Sequence, residues 1–424
     1  MVAALVPVFF GLLLLGLPIF ASLALAVTLA LYFFGGIDPL VVPMRMFSGM
    51  NNFSLMSIPF FILAAELMRI GGLSARLIDL ARALIGWLPG GLAAATVLAC
   101  LMFGSISGSS PATVIAIGTI MYPAMVNAGY DKFFSIGLIT TAGTLGPIVP
   151  PSIALIIYGS VTGTSVGRLF AGGLLPAVLI GALLIAYSTW MATLRGYPRD
   201  PFPTFERILI ALKRAAWGLG LPVILLGGIY SGVFTPTESA ATACLYGWFI
   251  GAVVYRTITL RDTLEIMRNT GLLSGPLLLI TAGASAFSWL LASTGAPSQL
   301  AAQILSGTDS PIIVMALFNI ILLVAGCFLD SASAIIILGP LMQPIAGQLG
   351  IDPVHFGIIM LVNLSVGMLT PPVGLNLFVA MGVAKMTLFE VFRGALPTIL
   401  LMLIALIIVT YVPVISMLLP NTMY

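Results

Sequence analysis

The strongest constraint on the fold is a set of four polar or helix-breaking segments inside long apolar sequence. Two are Gly/Ser-rich or Asp/Ser-rich turns, tip 1 (residues 104–111) and tip 2 (residues 327–333). Two contain paired prolines, break 1 (residues 146–152) and break 2 (residues 367–374). Hydrocarbon cannot satisfy the free amides and carbonyls of such segments, so in a membrane protein they must be buried in protein or face water. We interpret the four segments as parts of one central binding site.

The composition places this site in a membrane protein. Hydrophobic residues make up 60% of the 424 residues and charged residues only 7%, whereas soluble domains carry about 25% charged residues. Apolar runs near or above about 18 residues recur along the chain, which predicts many transmembrane helices. The N-terminal apolar run follows no cationic region and is too long for a signal peptide, so we expect a retained span.

Signatures of several enzyme classes are missing from the sequence. The chain has no H-E-x-x-H helix, no G-x-S-x-G turn and no G-x-x-x-x-G-K-[ST] loop, which argues against a protease and against direct use of ATP. Its three cysteines lie far apart in apolar stretches and match neither a metal site nor a disulfide framework. We expect neither an enzyme nor a nucleic-acid partner.

The apolar pattern divides the chain into an ordered series of helices. Two pairs of half helices flank the tips and predict re-entrant hairpins, and two helices are interrupted at the breaks because adjacent prolines remove amide donors. The predicted spans are residues 5–34, 53–68, 169–194, 215–230, 238–255, 272–291 and 388–419. The predicted half helices are 92–103, 111–123, 312–329 and 331–349, and the broken helices are 132–158 and 354–383. Amphipathic or interfacial helices are predicted at 40–52, 69–87 and 256–269, and a polar connector at 195–214.

These elements group into scaffold regions and transport regions. Each transport region contains one hairpin and one broken helix. The predicted regions are residues 1–89 (first scaffold), 90–160 (first transport region), 161–214 (span and connector), 215–311 (second scaffold), 312–385 (second transport region) and 386–424 (last span).

An internal repeat relates the two halves at a constant offset of 221 residues. The matched positions include glycines, prolines and acids. A chance match of such residues is much rarer in membrane spans than a chance match of apolar residues. They include Ser110/Ser331, Gly129/Gly350, Asp131/Asp352, Gly146/Gly367, Pro150/Pro371, Pro151/Pro372 and Pro176/Pro397. Because an extra span separates the units, we expect the second unit to be inverted in the membrane, as in many secondary transporters.

The basic residues give an independent test of this topology. Fourteen of the sixteen Lys and Arg residues fall on one predicted side, and only Arg45 and Arg168 fall on the other. Cytoplasmic loops carry the excess of positive charge, so the first side is predicted to be cytoplasmic. The N-terminus is then inside and the C-terminus outside, with the first hairpin entering from the cytoplasm and the second from outside.

Broken helices at mid-depth can bind a polar solute without charged side chains. Half-helix N-termini present free amides and a positive dipole, which favour an anion such as a carboxylate. The candidate substrate-binding residues are Ser107, Ser109, Ser110, Thr113, Pro151, Asp330, Ser331, Ser333 and Asn376.

Unwound carbonyls and helix C-termini favour a hard cation such as Na⁺. By the repeat, one cation site is expected beside each tip, built largely from main-chain oxygens. The candidate Na⁺ ligands are Ser105, Gly108, Gly146, Val149, Pro150, Gly326, Gly367, Thr370 and Pro371.

Several features have a structural explanation beside the functional one. A single Gly/Ser/Pro segment is explained equally well by close helix packing or a kink; the pairing of four by the repeat favours a site. Asp330 replaces Ser109 in the repeat and is either functional or a cap of the following helix. Glu238 is predicted to be a helix cap and Glu66 to pair with Arg69. His355, the only histidine, is predicted to be interfacial rather than proton-coupling.

In combination these motifs resemble those of the large membrane subunit of tripartite ATP-independent periplasmic (TRAP) transporters, the DctM-type permease. The resemblance covers essentially the whole chain. It rests on Pro59–Leu63, Gly71–Ser74, Leu77–Ala81, Leu88–Gly91, Gly104–Thr113, Gly146–Ser152, Gly232–Glu238 and Thr370–Asn376.

The resemblance implies an all-α polytopic membrane protein of elevator type, in which the hairpins and broken helices move against a scaffold. It implies Na⁺-coupled uptake of an organic anion, such as a C4-dicarboxylate or sialic acid, in a bacterial or archaeal inner membrane. The implied partners are a small four-helix membrane subunit of the Q type and a periplasmic binding protein of the P type. We expect the interfacial helices 40–52 and 256–269 to brace the scaffold in the bilayer and dock the small subunit. The alternatives are a stand-alone Na⁺/dicarboxylate symporter of similar architecture and an ion channel.

Overall fold

A computed structural model describes residues 2–34, 37–295, 299 and 310–423, and these residues contain helices and no β-strand. The first half contains α1 Val2–Leu14, α2 Ile19–Phe34, α3 Val41–Met50, α4 Ser57–Ile70, α5 Leu73–Ile85, α6 Gly91–Ser107, α7 Ser110–Asn127, α8 Lys132–Gly143, α9 Leu145–Ile148, α10 Ile153–Thr162 and α11 Val166–Arg195. The second half contains α12 Phe205–Tyr230, α13 Pro236–Phe249, α14 Leu260–Ser293, α15 Pro311–Phe328, α16 Ser331–Gln348, α17 Pro353–Gly367, α18 Leu375–Ala384, α19 Leu388–Tyr411 and α20 Val414–Met423. A 3₁₀ turn (Phe53–Met56) precedes α4, and a π-helical turn (Ile250–Val254) follows α13.

The described helices confirm a protein of several membrane spans. Five of them, α11, α12, α14, α15 and α19, are each long and apolar enough to cross a membrane. The number rises to seven if each of two bent pairs counts as one span: α4 with α5, bent by 73°, and α8–α9 with α10, bent by 42°. The second bend lies at break 1, where the sequence predicts an interrupted helix.

The prediction of one long N-terminal span at residues 5–34 was wrong. The chain forms two shorter helices, α1 and α2, which pack against each other. Gly16 adopts a positive φ of 84° between them, a conformation that glycine reaches at little cost. Pro18 follows two residues later and cannot continue a helix ladder. The chain therefore turns back where the apolar pattern alone looks continuous.

A helix boundary predicted at residues 270–271 does not exist in the structure. The predicted amphipathic helix at 256–269 and the span at 272–291 form one continuous helix, α14. A capping box of Thr259 and Asp262 begins it. A single exposed Gly271 costs only about 1 kcal/mol in a helix, which is too little to end one of this length.

Two smaller boundaries also differ from the prediction. The last span ends at Tyr411, and Pro413 precedes a separate helix, α20, which packs on α11. The non-helical part of the polar connector covers only residues 196–204, because α11 continues to Arg195 and the side chain of Thr204 caps α12 at Phe205. Basic residues predicted for the connector thus extend the span at its N-terminal end.

Each tip is the turn of a helix–turn–helix unit. The arms of the first unit are longer than the predicted half helices 92–103 and 111–123, and those of the second unit match the predicted 312–329 and 331–349 to within one residue at each end. The arms α6 and α7 have 17 and 18 residues, and α15 and α16 have 18 each. At 1.5 Å per residue an arm is about 27 Å long, slightly less than a hydrocarbon core of about 30 Å. Small polar residues at the ends of α6 and α7 hid the length of these two arms from the apolar pattern. Entry and exit on one side of the membrane stays a prediction.

Helix pairing in the centre follows the repeat. The second arm of the first hairpin, α7, packs on α18, which follows break 2. The second arm of the second hairpin, α16, packs on α10, which follows break 1. The offset of 221 maps α7 onto α16 and α10 onto α18. The contact of α7 with α18 is therefore the repeat equivalent of the contact of α16 with α10.

Glycine pairs let each hairpin approach its own broken helix closely. A Cβ added at Gly104 would lie 3.0 Å from the Gly146 Cα, and one added at Gly367 would lie 2.5 Å from the Gly326 Cα. Both pairs join the first arm of a hairpin to a break. The main-chain groups of the breaks are therefore held next to the tips.

Five helices from the two predicted scaffold regions pack on one another: α2, α3, α4, α13 and α14. The predicted ion pair is present, with Arg69 Nη2 2.7 Å from Glu66 Oε2. The predicted cap is also present, because Thr235 and Glu238 form a capping box at the start of α13. The division of the chain into six regions stays a prediction.

The connector is clasped between two loops on the predicted cytoplasmic side. Arg82 at the end of α5 donates two hydrogen bonds to Asp200, at 2.6 and 2.9 Å. The Tyr130 hydroxyl, between α7 and α8, donates to the Pro198 carbonyl at 3.2 Å. The hydrogen bond from Arg82 holds the pKa of Asp200 below its usual value, and the nearby charge of Arg207 acts in the same direction.

We predict that Asp200→Asn lowers the unfolding temperature slightly, because exposed ion pairs contribute about 0–1 kcal/mol. A carboxyl whose pKa is depressed in the folded state stabilises at pH values above its unfolded pKa, about 3.9. The difference between wild type and variant should therefore be constant above about pH 5 and shrink as the pH falls below it. Thermal unfolding in detergent measures this. Asp79→Asn is the control, because Asp79 is an exposed carboxyl on α5, the helix that carries Arg82, and is not the acid that Arg82 pairs with. An equal effect there would contradict a specific contribution of Asp200.

Candidate substrate site between the two tips

Both tips open into a single cavity of about 380 Å³, which we call the tip cavity. Its walls come from tip 1, tip 2, the start of α10 and the scaffold helices α4 and α14. The lining residues are Ile62, Ala65, Glu66, Ser107, Gly108, Ser109, Ser110, Pro111, Ala112, Pro147, Ile153, Ala154, Leu273, Leu277, Asp330, Ser331, Ala332, Met368 and Leu375. Two turns separated by more than 200 residues in sequence thus share one space.

Tip 1 is held by hydroxyl groups behind its surface. Gly108 turns the chain with a φ of 58°, and Ser109 is extended before α7 begins. The Thr113 hydroxyl lies 2.9 Å from the Ser107 hydroxyl and donates to the Ser109 carbonyl at 2.8 Å. The Ser109 side chain makes no capping hydrogen bond to α7. The first turn of α7 therefore presents amides that no N-cap side chain satisfies.

Tip 2 differs because an acid caps the following helix. Asp330 Oδ2 accepts hydrogen bonds from the amides of Ala332 and Ser333, at 3.0 and 3.2 Å. Its Oδ1 accepts from the Ser333 hydroxyl. The structure thus shows the capping role that the sequence left open, and it also places Asp330 on the cavity wall. Tip 2 thus places a carboxyl group on the cavity wall, whereas tip 1 places helix amides without an N-cap side chain there.

The segment after break 2 connects the two halves of the site. The side-chain amide of Asn376 donates to the Ser110 hydroxyl of tip 1. Its main-chain amide donates to the Met368 carbonyl at 3.1 Å, and the amide of Gly374 donates to the Cys327 carbonyl at 3.1 Å. Asn376 is fully buried, and its Oδ1 has no hydrogen-bond partner among the described residues.

Six of the predicted residues line the tip cavity: Ser107, Gly108, Ser109, Ser110, Asp330 and Ser331. Thr113, Ser333 and Asn376 lie behind this surface and position it through the hydrogen bonds above. Pro151 lies close behind tip 1, where its carbonyl would be 2.9 Å from a Cβ added at Gly108.

Of the predicted cation ligands, Gly108 lines the tip cavity, and the others are not part of its lining. A Cβ added at Gly146 would lie 2.6 Å from the Ser109 carbonyl oxygen and 2.7 Å from Thr113 Oγ1. Val149 is extended, as is expected at an unwound break. On the second side, the Thr370 hydroxyl donates to the Val366 carbonyl at 3.1 Å. Ser105 is turned away, since its hydroxyl donates to the Met102 carbonyl within the same helix.

The donor set fits a hard, weakly held cation. No cluster of three or more His, Cys, Asp or Glu side chains occurs in the part of the chain that the structure describes. The groups near Gly146 and Gly367 are carbonyl and hydroxyl oxygens, and the unpartnered Oδ1 of Asn376 is close in sequence to break 2. Such a set suits an ion that prefers oxygen ligands. A transition metal would require softer ligands.

Sequence reasoning missed the scaffold wall of the cavity. Ile62, Glu66, Leu273 and Leu277 face the tips, yet they lie in apolar or amphipathic segments without a local signal. It also did not foresee that His355 is buried beneath α20, where its Nδ1 lies 2.6 Å from the Ser416 hydroxyl. The position of His355 relative to the membrane interface stays a prediction.

A comparison with protein families decides the class of transporter. The family described as "Tripartite ATP-independent periplasmic transporter, DctM component" matches residues 6–415. This chain belongs to that family. It is therefore a multi-pass membrane protein and a transporter permease, not an enzyme.

Similar proteins support this assignment along nearly the whole chain. This chain is 43% identical to the C4-dicarboxylate TRAP transporter large permease protein of Vibrio cholerae, over 97% of this chain and 95% of the relative. It is 36% identical to the sialic acid TRAP transporter large permease protein of the same organism, over 97% and 96%. The fold is similar to the crystal structure of the YdaH transporter of Alcanivorax borkumensis, with a TM-score of 0.62 and 17% identity over 92% of this chain and 89% of that one.

Proposed function

We propose that this DctM-family chain takes up an organic anion together with Na⁺, with C4-dicarboxylates as the first candidate substrates. The observation that carries the proposal is the tip cavity, where two helix N-termini from opposite halves of the chain meet. The relatives named for C4-dicarboxylate and sialic acid share carboxylate chemistry, which supports an anion as the cargo.

The chemical difference between the tips supports binding of the substrate at tip 1 and of the ion at tip 2. The first turn of α7 offers amides and the positive end of its dipole, which stabilise a carboxylate. In tip 2 the helix amides are already taken by Asp330, so this tip contributes negative charge. A cation beside tip 2 would neutralise that charge before an anion enters. The order of binding is thus proposed to be Na⁺ first and substrate second.

Alternating access by an elevator movement is proposed from the arrangement of the helices. The exchanged contacts of α7 with α18 and α16 with α10 join the two transport regions into one body. The tip cavity lies between this body and the scaffold helices α4 and α14. Sliding of one against the other would expose the cavity to each side in turn, as inverted-repeat transporters do. A channel is less well supported, since the cavity is built within one chain.

We propose a small membrane subunit and a periplasmic binding protein as partners, as the tripartite description of the family implies. The runner-up, a stand-alone symporter, would need neither. Uptake into proteoliposomes with and without a binding protein separates them: the tripartite proposal requires uptake only when the binding protein is added.

The Na⁺ proposal makes a direct prediction for the reconstituted complex. Succinate, a C4-dicarboxylate, should accumulate in proteoliposomes when an inward Na⁺ gradient is imposed, and replacing external Na⁺ by choline should reduce uptake to the level of protein-free vesicles. The measurement is the initial rate of radiolabelled succinate uptake. Undiminished uptake in choline would show that another ion, or none, drives transport.

A further inference from the structure

A second cavity, which we call the outer cavity, lies between α3, the end of α10 and α14. It has a volume of about 420 Å³, and its walls are mainly hydroxyl and amide groups. They include Ser48, Asn51, Ser160, Thr281, Ser285 and Ser288. Among the residues that the structure describes, no acidic or basic side chain belongs to the lining. It lies on the side of the protein that the charge distribution predicts to be periplasmic.

The outer cavity is aligned with the tip cavity along two helices. On α14, Leu273 and Leu277 line the tip cavity, and Thr281, Ser285 and Ser288 line the outer cavity. These positions are three or four residues apart, so they share one face of the helix. On α10, Ala154 lines the first cavity and Ser160 the second. The nearest lining residues of α14 are thus separated by one helical turn, about 5.4 Å.

A basic residue, Arg45, lies near the outer cavity on the same helix as two of its lining residues, Ser48 and Gly49. Arg45 lies on α3 one turn before Ser48, and its guanidinium carbon is 5.0 Å from the centre of the Trp289 ring. Trp289 directly follows the lining residue Ser288. Stacking on an aromatic ring orients a guanidinium without neutralising its charge. Arg45 thus places a positive charge one helical turn from Ser48, whereas the wall carries hydrogen-bond donors.

Ordinary helix packing does not explain this surface. Gly49 already allows α3 to approach α14 closely, since a Cβ there would lie 2.2 Å from the Ser285 Cβ. Small residues are enough for such a helix contact. They do not require the amide and hydroxyl groups of Asn51, Thr281 and Ser288 to line a common space, as they do here.

We propose that the outer cavity is a waiting site for the same class of organic anion that enters the tip cavity. This inference rests on the proposed function. Asn51 and the serine hydroxyls would donate hydrogen bonds to carboxylate oxygens, and Arg45 would supply the attracting charge. The anion would then pass along the shared face of α14 to tip 1.

Thiol labelling of the purified complex in detergent tests the site without assuming an orientation in the membrane. Ser288→Cys is compared with Ser293→Cys, an exposed position farther along α14 that does not line the cavity. Both are made after replacing the three native cysteines. The reagents are an anionic sulfonatoethyl and a cationic trimethylammonium-ethyl methanethiosulfonate, and succinate is the competing probe.

The ratio of the anionic to the cationic labelling rate should be higher at position 288 than at position 293. Arg45→Gln should lower this ratio at position 288 about fivefold. Succinate should slow labelling at position 288 several-fold and leave position 293 unchanged. Equal ratios at both positions, or no protection by succinate, would overturn the inference.

A steric variant keeps the test independent of the cysteine replacements. Ser288→Trp should fill the cavity and reduce succinate uptake by about tenfold or more, whereas Ser293→Trp should not. Equal uptake by both variants would overturn the inference and leave the proposed function intact. Absence of succinate uptake by the wild-type complex would instead overturn the proposed function, and this inference with it.

Discussion

Gly367→Val is expected to abolish uptake and to lower the free energy of unfolding. Even the first added carbon would lie 2.5 Å from the Gly326 Cα, which is backbone and cannot rotate away. Overpacking of this kind costs about 1–3 kcal/mol. It would also push break 2 away from tip 2 and separate the oxygens proposed to bind Na⁺. Uptake in proteoliposomes should fall by more than tenfold, beyond what the loss of folded protein explains.

Two glycines provide the comparison for this result. Gly382 lies in α18 with no atom near a built Cβ, so Gly382→Val should keep most of the uptake. Gly146→Val, at the equivalent position of the first repeat, should be as harmful as Gly367→Val, because its Cβ would meet the Ser109 carbonyl at 2.6 Å. If Gly367→Val transported like Gly382→Val, the close packing of tip and break would not be required.

Asp330→Ala is expected to have the second large effect, since it removes both a helix cap and a charge. Loss of an N-cap costs about 1 kcal/mol, and two amides at the cavity wall would lose their acceptor. Asp330→Asn separates the two contributions, because asparagine caps nearly as well as aspartate. We expect Asp330→Asn to restore the unfolding temperature but to raise the Na⁺ concentration needed for half-maximal uptake several-fold.

Asp352→Asn is the matched control for the loss of charge. Asp352 caps α17 through the Val354 amide at 2.7 Å and does not line the tip cavity. Its replacement should leave the Na⁺ dependence of uptake unchanged. An unchanged Na⁺ dependence in Asp330→Asn as well would show that Asp330 acts only as a cap.

Local chemistry explains which elements could be predicted. Adjacent prolines end a helix wherever they occur, so the breaks were found at their observed places. Thr235 with Glu238 forms a capping box from a four-residue pattern, and the Glu66–Arg69 pair follows from helical spacing. Each of these depends on neighbours within one helical turn.

The errors have a common physical cause. An apolar run reports that a segment avoids water, but it does not report whether the segment faces lipid or protein. At Gly16 the chain turns back because α2 gains a partner in α1, and at Gly271 the helix continues in spite of a weak former. Helix length in these regions depends on packing, which the local pattern does not contain.

By itself the sequence determined the membrane class, the repeat, the four interrupting segments and the residue types that we propose to bind a carboxylate and Na⁺. These follow from composition and from short-range backbone chemistry. Only the tertiary structure decided that both tips share one cavity, that Asn376 reaches Ser110 across the halves, and that α14 runs from the tip cavity to the outer cavity. Such contacts join residues far apart in the chain, and a leucine that lines a binding site has the same local sequence as one that faces lipid.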